Sequence, residues 1–380
     1  MKIVHCCLSN FFIDGYSYQE NELVRQNVKD GHDVTVIAST ETFGPDRKLS
    51  YLQPSSYIGS EGARVIRLPY RKLFPAKVMR KLRAHPDVFD ILSEAKPDII
   101  LFHGTCGWEL NSVARFKRSF PATRLYVDSH EDFNNSARNM LSKWGLHYLY
   151  YRQILRRNLR SIEKILCVNV DAMEFVGNFY GVPRSMLEFY PLGGELLSDD
   201  EYERRRSATR AALGVAGGDL LFIQTGKIDR SKKLVEALNA FTKQPAADTR
   251  FLIAGHLGED VLNEVEAIIA VDPRVRFLGW KAAEELRDLL CAADVYVQPG
   301  TQSATMQMSL CCHCAVIIDD VSSHTPYHDD NGWLVGRRLT LHEAFANAAA
   351  RRGEIVEMGE RSAAIAARLL DYKKLAARLY

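Results

Sequence analysis

With 380 residues, 47% of them hydrophobic, the chain is too long for one ordinary core, because single cores stop growing near ~250 to 300 residues and longer chains divide. Its 49 basic side chains nearly balance 47 acidic ones, giving a formal net charge of +2. That excludes the strongly basic balance of a nucleic-acid-binding chain and points to no acidic partner. The longest apolar stretches, 97–102 and 292–297, have the length of strands, and a membrane-spanning helix needs ~20 apolar residues in a row. Met1 leads directly into Lys2-Ile3-Val4-His5-Cys6, without the long apolar run and cleavage site of a secretory leader, so a cytoplasmic location is expected. Eight scattered cysteines then read as reduced, buried thiols. Cys311-Cys312-His313-Cys314 is too crowded for a structural zinc site, whose ligand pairs are spaced by a few residues, and it reads as core packing.

Ile3 to Leu8 is apolar, Gly15 interrupts, Tyr18 to Asp30 has helical spacing, and Asp33 to Ile37 is strand-like. That is a βαβ unit, which predicts a parallel sheet with ligand sites at the carboxyl ends of its strands. Apolar strands follow at Pro97–Phe102, Arg124–Asp128 and Lys164–Val168, so an open α/β domain is expected over 1–190. After Tyr190-Pro191-Leu192-Gly193-Gly194, a turn or linker, a second series begins. Its strands are Leu220–Gln224, Arg250–Ala254, Arg274–Leu278, Val295–Gln298 and Ala315–Ile318, and Lys233–Thr242 and Glu284–Ala292 are helical segments between them. The chain reads as two tandem doubly wound domains, 1–190 and 191–359. A closing helix over 360–380, with Ala364, Leu369, Leu370 and Leu375 at helical spacing, is expected to pack back on the first.

A diphosphate is held by backbone N–H groups at helix starts, by glycines that admit close approach, and by fixed cations. Gly15 stands between the first strand and first helix, where it serves either a phosphate or an ordinary turn. Thr225-Gly226-Lys227-Ile228-Asp229-Arg230-Ser231-Lys232-Lys233 follows a strand and opens a helix. Two lysines five residues apart there can converge on one diphosphate, whereas a lone charge run would be a solvated helix end.

This segment, with its glycine, two lysines and the helix Leu234-Val235-Glu236-Ala237-Leu238-Asn239-Ala240-Phe241, resembles the donor site of the retaining glycosyltransferases of family 4. Other pieces fall in that family's order: Gly15-Tyr16 with Tyr18-Gln19-Glu20, Lys29 to Val34, Pro191-Leu192-Gly193, Phe277-Leu278-Gly279-Trp280, Ala293-Asp294-Val295 before Pro299-Gly300, and Asn331 to Val335. The resemblance covers nearly the whole chain and implies the GT-B architecture, two Rossmann-like domains with an interdomain cleft. It implies that Lys227 and Lys232 bind the donor diphosphate and stabilise the leaving group, where preorganised positive charge meets developing negative charge. His130, in Val127-Asp128-Ser129-His130-Glu131-Asp132, matches the histidine that lies against the transferred sugar. Trp280 and Lys281 match the segment whose backbone reads the base.

The chain departs from the family in one place. Relatives usually carry two glutamates separated by seven residues between the proline loop and the next helix, whereas Pro299-Gly300-Thr301-Gln302-Ser303-Ala304-Thr305-Met306-Gln307 contains no carboxylate. Gln307 is the candidate for the ribose, since an amide both donates and accepts, and Gln302 or Ser303 stands for the other glutamate. Helix-start amides at Ser303, Ala304 and Thr305 are candidates for phosphate.

Three readings follow. The first is a retaining glycosyltransferase of the hexosyltransferase kind, taking a nucleotide-sugar donor (UDP or GDP) and a glycan or lipid-linked acceptor, in cell-surface polysaccharide or glycolipid synthesis. The second is a catalytically degenerate sugar-nucleotide-binding partner, favoured by the missing glutamates. The third is a nucleotide-sugar epimerase, which needs acids in the cleft beyond Glu131 and Asp132. Neither Asp319-Asp320 nor Asp329-Asp330 has the Asp-X-Asp spacing of metal-dependent transferases, so no metal or other cofactor is expected. The basic stretches 71–83 and 152–164 read either as solvated helix faces or as contacts with the anionic inner face of a membrane. No nucleic-acid partner is expected.

Overall fold

The computed structural model describes every residue except 45–47, 134 and 138. It divides into two compact units, Met1–Pro191 with Tyr372–Tyr380, and Leu192–Asp371.

In the first unit the strands are β1 (Lys2–Cys7), β2 (Asp33–Ser39), β3 (Glu41–Phe43), β4 (Leu49–Tyr51), β5 (Ser55–Ile58), β6 (Arg64–Leu68), β7 (Ile99–Phe102), β8 (Arg124–Ser129), β9 (Lys164–Cys167) and β10 (Leu187–Phe189). Eight of them form one sheet in the order β10-β9-β8-β7-β1-β2-β6-β5, parallel except for the β5/β6 pair, and β3 and β4 form a separate antiparallel ladder. After Lys2 every residue of β1 is buried, as is every residue of β7. Strands covered on both faces read as continuous apolar runs, which is why these two were legible in the sequence. The chain moves outward from β1 through β2 and β6 on one side, then returns to β7 on the other. The β1/β7 pair is therefore the topological switch point, where α/β sheets place their ligand crevice.

The second unit carries β11 (Leu220–Ile228), β12 (Thr249–Leu257), β13 (Val275–Phe277), β14 (Val295–Gln298), β15 (Ala315–Asp319) and β16 (Gly332–Val335). They form a parallel sheet in the order β13-β12-β11-β14-β15-β16, whose switch point lies between β11 and β14. Its core centres on Phe222, Phe241, Phe251 and Phe345, whose rings meet edge-on or tilted except for the stacked Phe222/Phe251 pair.

One expectation is corrected, and one is met. Residues 360–380 do not form one closing helix: Glu360 to Leu369 continue a helix, Arg352–Leu369, that belongs to the second unit. There Ser362 is fully buried and accepts from Asn331 Nδ2 at 2.9 Å. Only Tyr372–Tyr380 joins the first unit, where Leu375, Ala376 and Leu379 pack with Leu23, Leu101, Leu166 and Tyr190. The apolar spacing runs through both pieces, so periodicity alone could not place the break. The cysteine cluster lies in the second core: Cys311, Cys312 and Cys314 are buried, with their sulfurs against the carbonyl oxygens of Gln307, Arg287 and Leu290 respectively.

Candidate functional site

The carboxyl ends of β1, β7 and β8 open into a cleft of about 850 Å³. Ser9 and Asn10 contribute from the end of β1, Cys106 from the β7 loop, His130 and Glu131 from the β8 end, and Lys77, Arg80, Lys81 and Arg83 from the helix Ala76–Leu82 and its cap. Arg83, held at φ +51°, donates to the carbonyls of Ser9 and Cys106 and so ties this basic helix to the sheet. Sequence reading took 71–83 as a basic stretch facing solvent or a membrane and did not identify Arg83 as this tie, since nothing local marks it.

His130 reaches the cleft with about 26% of its side chain exposed, while its Nε2 faces inward. That nitrogen lies 3.6 Å from Asp128 Oδ1 and 3.8 Å from Glu20 Oε1. Burial opposes a charge on the ring, but the Asp128 carboxylate, assisted by Glu20 and Glu131, outweighs it and pushes the His130 pKa up to about 9. Asp128 is itself buried, yet His103 and His130 together hold its carboxyl well below the usual range. Glu131 accepts from Thr105 Oγ1 at 2.9 Å and Ser129 Oγ at 2.8 Å. Gly15 lies in an exposed turn at φ +78°, with its N–H 3.3 Å from Ser60 Oγ and open space where a Cβ would stand. The turn geometry alone accounts for a glycine there.

The second group of candidates lies at the β11/β14 switch point. Lys227 belongs to the end of β11, paired with His256 of β12, rather than to a loop, and its side chain is exposed. β11 is longer than the sequence reading made it, because Gly226 continues the ladder opposite Gly255. A Cβ on Gly255, whose φ is +142°, would stand 1.9 Å from the Gly226 carbonyl oxygen, so only glycine allows this close pairing. Lys232 ends a short 3₁₀ turn, Arg230–Lys232, and its Nζ donates at 2.8 Å to the carbonyl oxygens of both Thr301 and Gln302. Gly300 packs so tightly on this turn that a Cβ would come within 2.2 Å of the Ser231 oxygen. The lysine and the proline-glycine loop are thus one assembly. Lys233, part of the charge run whose bland reading was a solvated helix end, is ion-paired to Asp319 at 2.7 Å.

Ser303 caps the helix Ala304–Cys311, accepting from Met306 N–H at 3.3 Å and donating to Gln298 Oε1 at 2.6 Å. Thr305 Oγ1 donates to the Thr225 carbonyl at 3.1 Å and lies 3.4 Å from where a Gly226 Cβ would be. The buried Tyr296 hydroxyl gathers Gln298, Ser303 and Thr305. Its pattern of partners was not legible, because Tyr296 reads as an ordinary core residue of β14. Ala304 is exposed at the helix start, whereas Gln307 is buried at 2% exposure with Oε1 unsatisfied. Gln302 lies in the loop held by Lys232. Trp280 is 56% exposed after β13, and Lys281 is occupied with Glu285 at 3.5 Å. The structure therefore gathers Gly226, Lys227, Lys232, Ser303, Ala304 and Thr305 at one switch point and sets Trp280 and Lys281 beyond the edge strand.

The stretch 152–164 presents Arg156, Arg157 and Arg160 outward and packs its apolar side inward, the solvated helix face of the two sequence readings. Ile154, Leu155 and Ile162 are buried, Arg152 lies over the Tyr148 ring, and Lys164 donates to the Ser185 carbonyl. The exposed apolar side chains lie just before it, at Met140, Leu141, Trp144 and Leu149, and on the other stretch at Leu73, Phe74 and Val78. Among the described residues no helix is long and apolar enough to cross a membrane.

The family description "Glycosyl transferase 4-like domain" matches residues 15–193, and "Glycosyl transferases group 1" matches residues 219–352. Among solved structures the chain is similar to sucrose-phosphate synthase from Thermosynechococcus elongatus, at 14% identity and a TM-score of 0.68, covering 100% of this chain and 97% of that one. It is similar to Anabaena HepE in complex with UDP, at 14% identity and a TM-score of 0.67, covering 100% and 98%. It is also similar to WaaG, a glycosyltransferase involved in lipopolysaccharide biosynthesis, at 16% identity and a TM-score of 0.64, covering 99% of each. These likenesses carry the fold. No curated protein matches the sequence.

Proposed function

The chain belongs to the family 4-like glycosyltransferases and has their GT-B fold, and we propose that it transfers a sugar with retention from a nucleoside diphosphate donor to a glycan or lipid-linked acceptor. The observation that carries this reading is the assembly at the β11/β14 switch point. An exposed Lys227 at a strand end, Lys232 on the Pro299–Gln302 loop and the start of the Ala304–Cys311 helix offer two cations and a helix N-terminus to a diphosphate. Neutralisation by these groups leaves no step that requires a metal, so activity is expected to survive a chelator. HepE was solved with UDP, which makes a uridine donor the first to try. The first domain's cleft, with Lys77, Arg80 and Lys81 at its wall and His130 at its floor, is the acceptor side in this reading.

Exposed Leu73, Phe74 and Val78 beside Arg71, Lys72 and Lys77 support contact of this domain with an anionic membrane surface, and so a peripheral cytoplasmic location. Co-flotation with vesicles containing anionic lipid, lost in Leu73→Ser with Phe74→Ser, is the expected outcome; no flotation with any vesicle removes this part of the reading.

The loop 299–307 has no carboxylate, which favours a binder without turnover as the second reading. A thermal-shift panel of UDP, GDP and ADP with their sugars, on the native chain and on Lys227→Ala and Lys232→Ala, tests donor binding. A shift with one nucleotide that both variants lose supports the donor site, and release or transfer of sugar from that donor then separates enzyme from binder. No shift with any nucleotide overturns the proposal.

A further inference from the structure

A continuous line of buried polar side chains crosses the first domain from its surface to His130. Tyr380 Oη donates to Asp30 Oδ2 at 2.8 Å and accepts from Asn27 Nδ2 at 2.6 Å. Asn27 Oδ1 lies 2.8 Å from His5 Nε2, and His5 Nδ1 lies 3.0 Å from His103 Nε2. His103 Nδ1 is hydrogen-bonded to Asp128 Oδ2, and the other oxygen of Asp128 accepts from the Gly104 N–H at 2.7 Å and faces His130. His5, His103, Asn27 and Asp128 are each at most 1% exposed.

Counting donors along this line fixes its protons. Tyr380 gives its only hydrogen to Asp30, so it accepts from the Asn27 amide, and the Asn27 oxygen must therefore face His5. An oxygen there requires a proton on His5 Nε2. The carboxylate of Asp128 requires a proton on His103 Nδ1. The hydrogen bond between the two rings holds a third. Two neutral imidazoles carry only two ring protons between them, so the pair is one proton richer than neutral. Burial, reinforced by His103, pushes the His5 pKa down to about 3, so His5 is the neutral partner, accepting at Nδ1.

We propose that His103 is a buried imidazolium, imposed by the Tyr380–Asn27–His5 chain, and that it acts as a positioning residue that fixes Asp128 against His130. The second half of this rests on the reading of His130 as the group beside the transferred sugar; the charge on His103 does not. The two cations share one carboxylate. His103 occupies Oδ2 and Gly104 holds Oδ1, so Asp128 has one orientation in which to meet His130, and the proton on His103 opposes the proton on His130. The charged groups facing His130 are Asp128, Glu20 and Glu131, and His103 meets the Asp128 carboxylate and the neutral ring of His5.

The test is ¹⁵N NMR of the full chain labelled at histidine, with His103 assigned by loss of its signals in His103→Gln and His130 by loss in His130→Gln. At neutral pH both nitrogens of His103 are expected to carry protons, and His5 to show a single proton, on Nε2. A neutral His103 pattern overturns the proposal. In His103→Gln, whose amide still donates to Asp128 but brings no charge, the His130 titration is expected to move upward, and with it the alkaline limb of any transfer activity. A His130 titration unmoved in that variant overturns the coupling. If His103→Gln does not fold, Tyr380→Phe serves, because it frees Asn27 to turn its amide toward His5 and let the third proton leave; His103 is then expected to lose one ring proton, and its retention overturns the proposal. None of these spectra requires a donor or acceptor, so the charge assignment stands or falls separately from the transferase reading.

Discussion

The two domains build their candidate sites by opposite means. In the first, the candidate histidine His130 is held by ionisable groups inside the sheet: Asp128, His103 and His5 are buried, and each has charge or hydrogen bonds to satisfy. In the second, the work falls to backbone and to cations at the surface: Lys232 grips two carbonyl oxygens, Gly255 and Gly300 admit backbone contacts that a Cβ would forbid, and Lys227 extends outward. The first arrangement couples chemistry to protonation and to fold stability. The second couples it to loop position, and leaves one of its two lysines free of any structural duty.

That contrast breaks most sharply at Gly255→Ala. The added methyl would force β11 and β12 apart where Gly226 and Lys227 lie, and a loss of more than about 3 kcal/mol is expected in urea unfolding, confined to the second domain. Near-native stability would refute the close strand pairing. Next is Asp128→Asn. Removing one partner of a buried ion pair costs about 3 to 5 kcal/mol, and the remaining His130 is expected to titrate below its ordinary range; calorimetry and histidine NMR read the two effects.

The two lysines sharpen the comparison further. Lys232→Ala is expected to lower both the thermal midpoint and donor-dependent transfer, because it releases Thr301 and Gln302, whereas Lys227→Ala lowers transfer by about 100-fold or more with the midpoint unchanged. Equal midpoints in the two variants would remove the distinction. A subtler difference lies in pH. His130 has a folded pKa of about 9, so its contribution is complete below ~6.5 and is lost as pH rises toward 9. His5 at about 3 and His85 at about 4 are lowered by burial, so they stay neutral in the folded chain and their contribution is lost as pH falls below ~6.5. The first domain is therefore expected to be most stable near pH ~6.5 and to weaken on both sides. In the second, His313 and His324 are lowered, which gives loss on the acid side. Fluorotryptophan at Trp108 and Trp144 against Trp280 and Trp333 resolves the two domains during urea titration. Smallest of all, Gly15→Ala is expected to cost about 1 kcal/mol for its positive φ and to leave donor affinity unchanged, since nothing but open space surrounds that position.

What the sequence determined by itself was the double series of apolar strands, the break near Pro191, and the order of glycine, lysine and aromatic segments that marks the family, because parallel strands buried on both faces leave unbroken apolar runs and turn residues sit beside them. It also placed Lys227, Lys232 and His130 at strand ends. Only tertiary structure decided the rest. The break at Asp371 depends on which core receives Leu375 and Leu379, and the periodicity of the helix is the same on either side. That 152–164 buries Ile154, Leu155 and Ile162 and leaves Arg156, Arg157 and Arg160 outside depends on which side of the helix meets the core. The line from Tyr380 through Asn27, His5 and His103 to Asp128 joins residues from both ends of the chain. Each of them reads locally as an ordinary polar residue in an apolar strand or helix, and their proton count has meaning only once burial has removed water as an alternative partner.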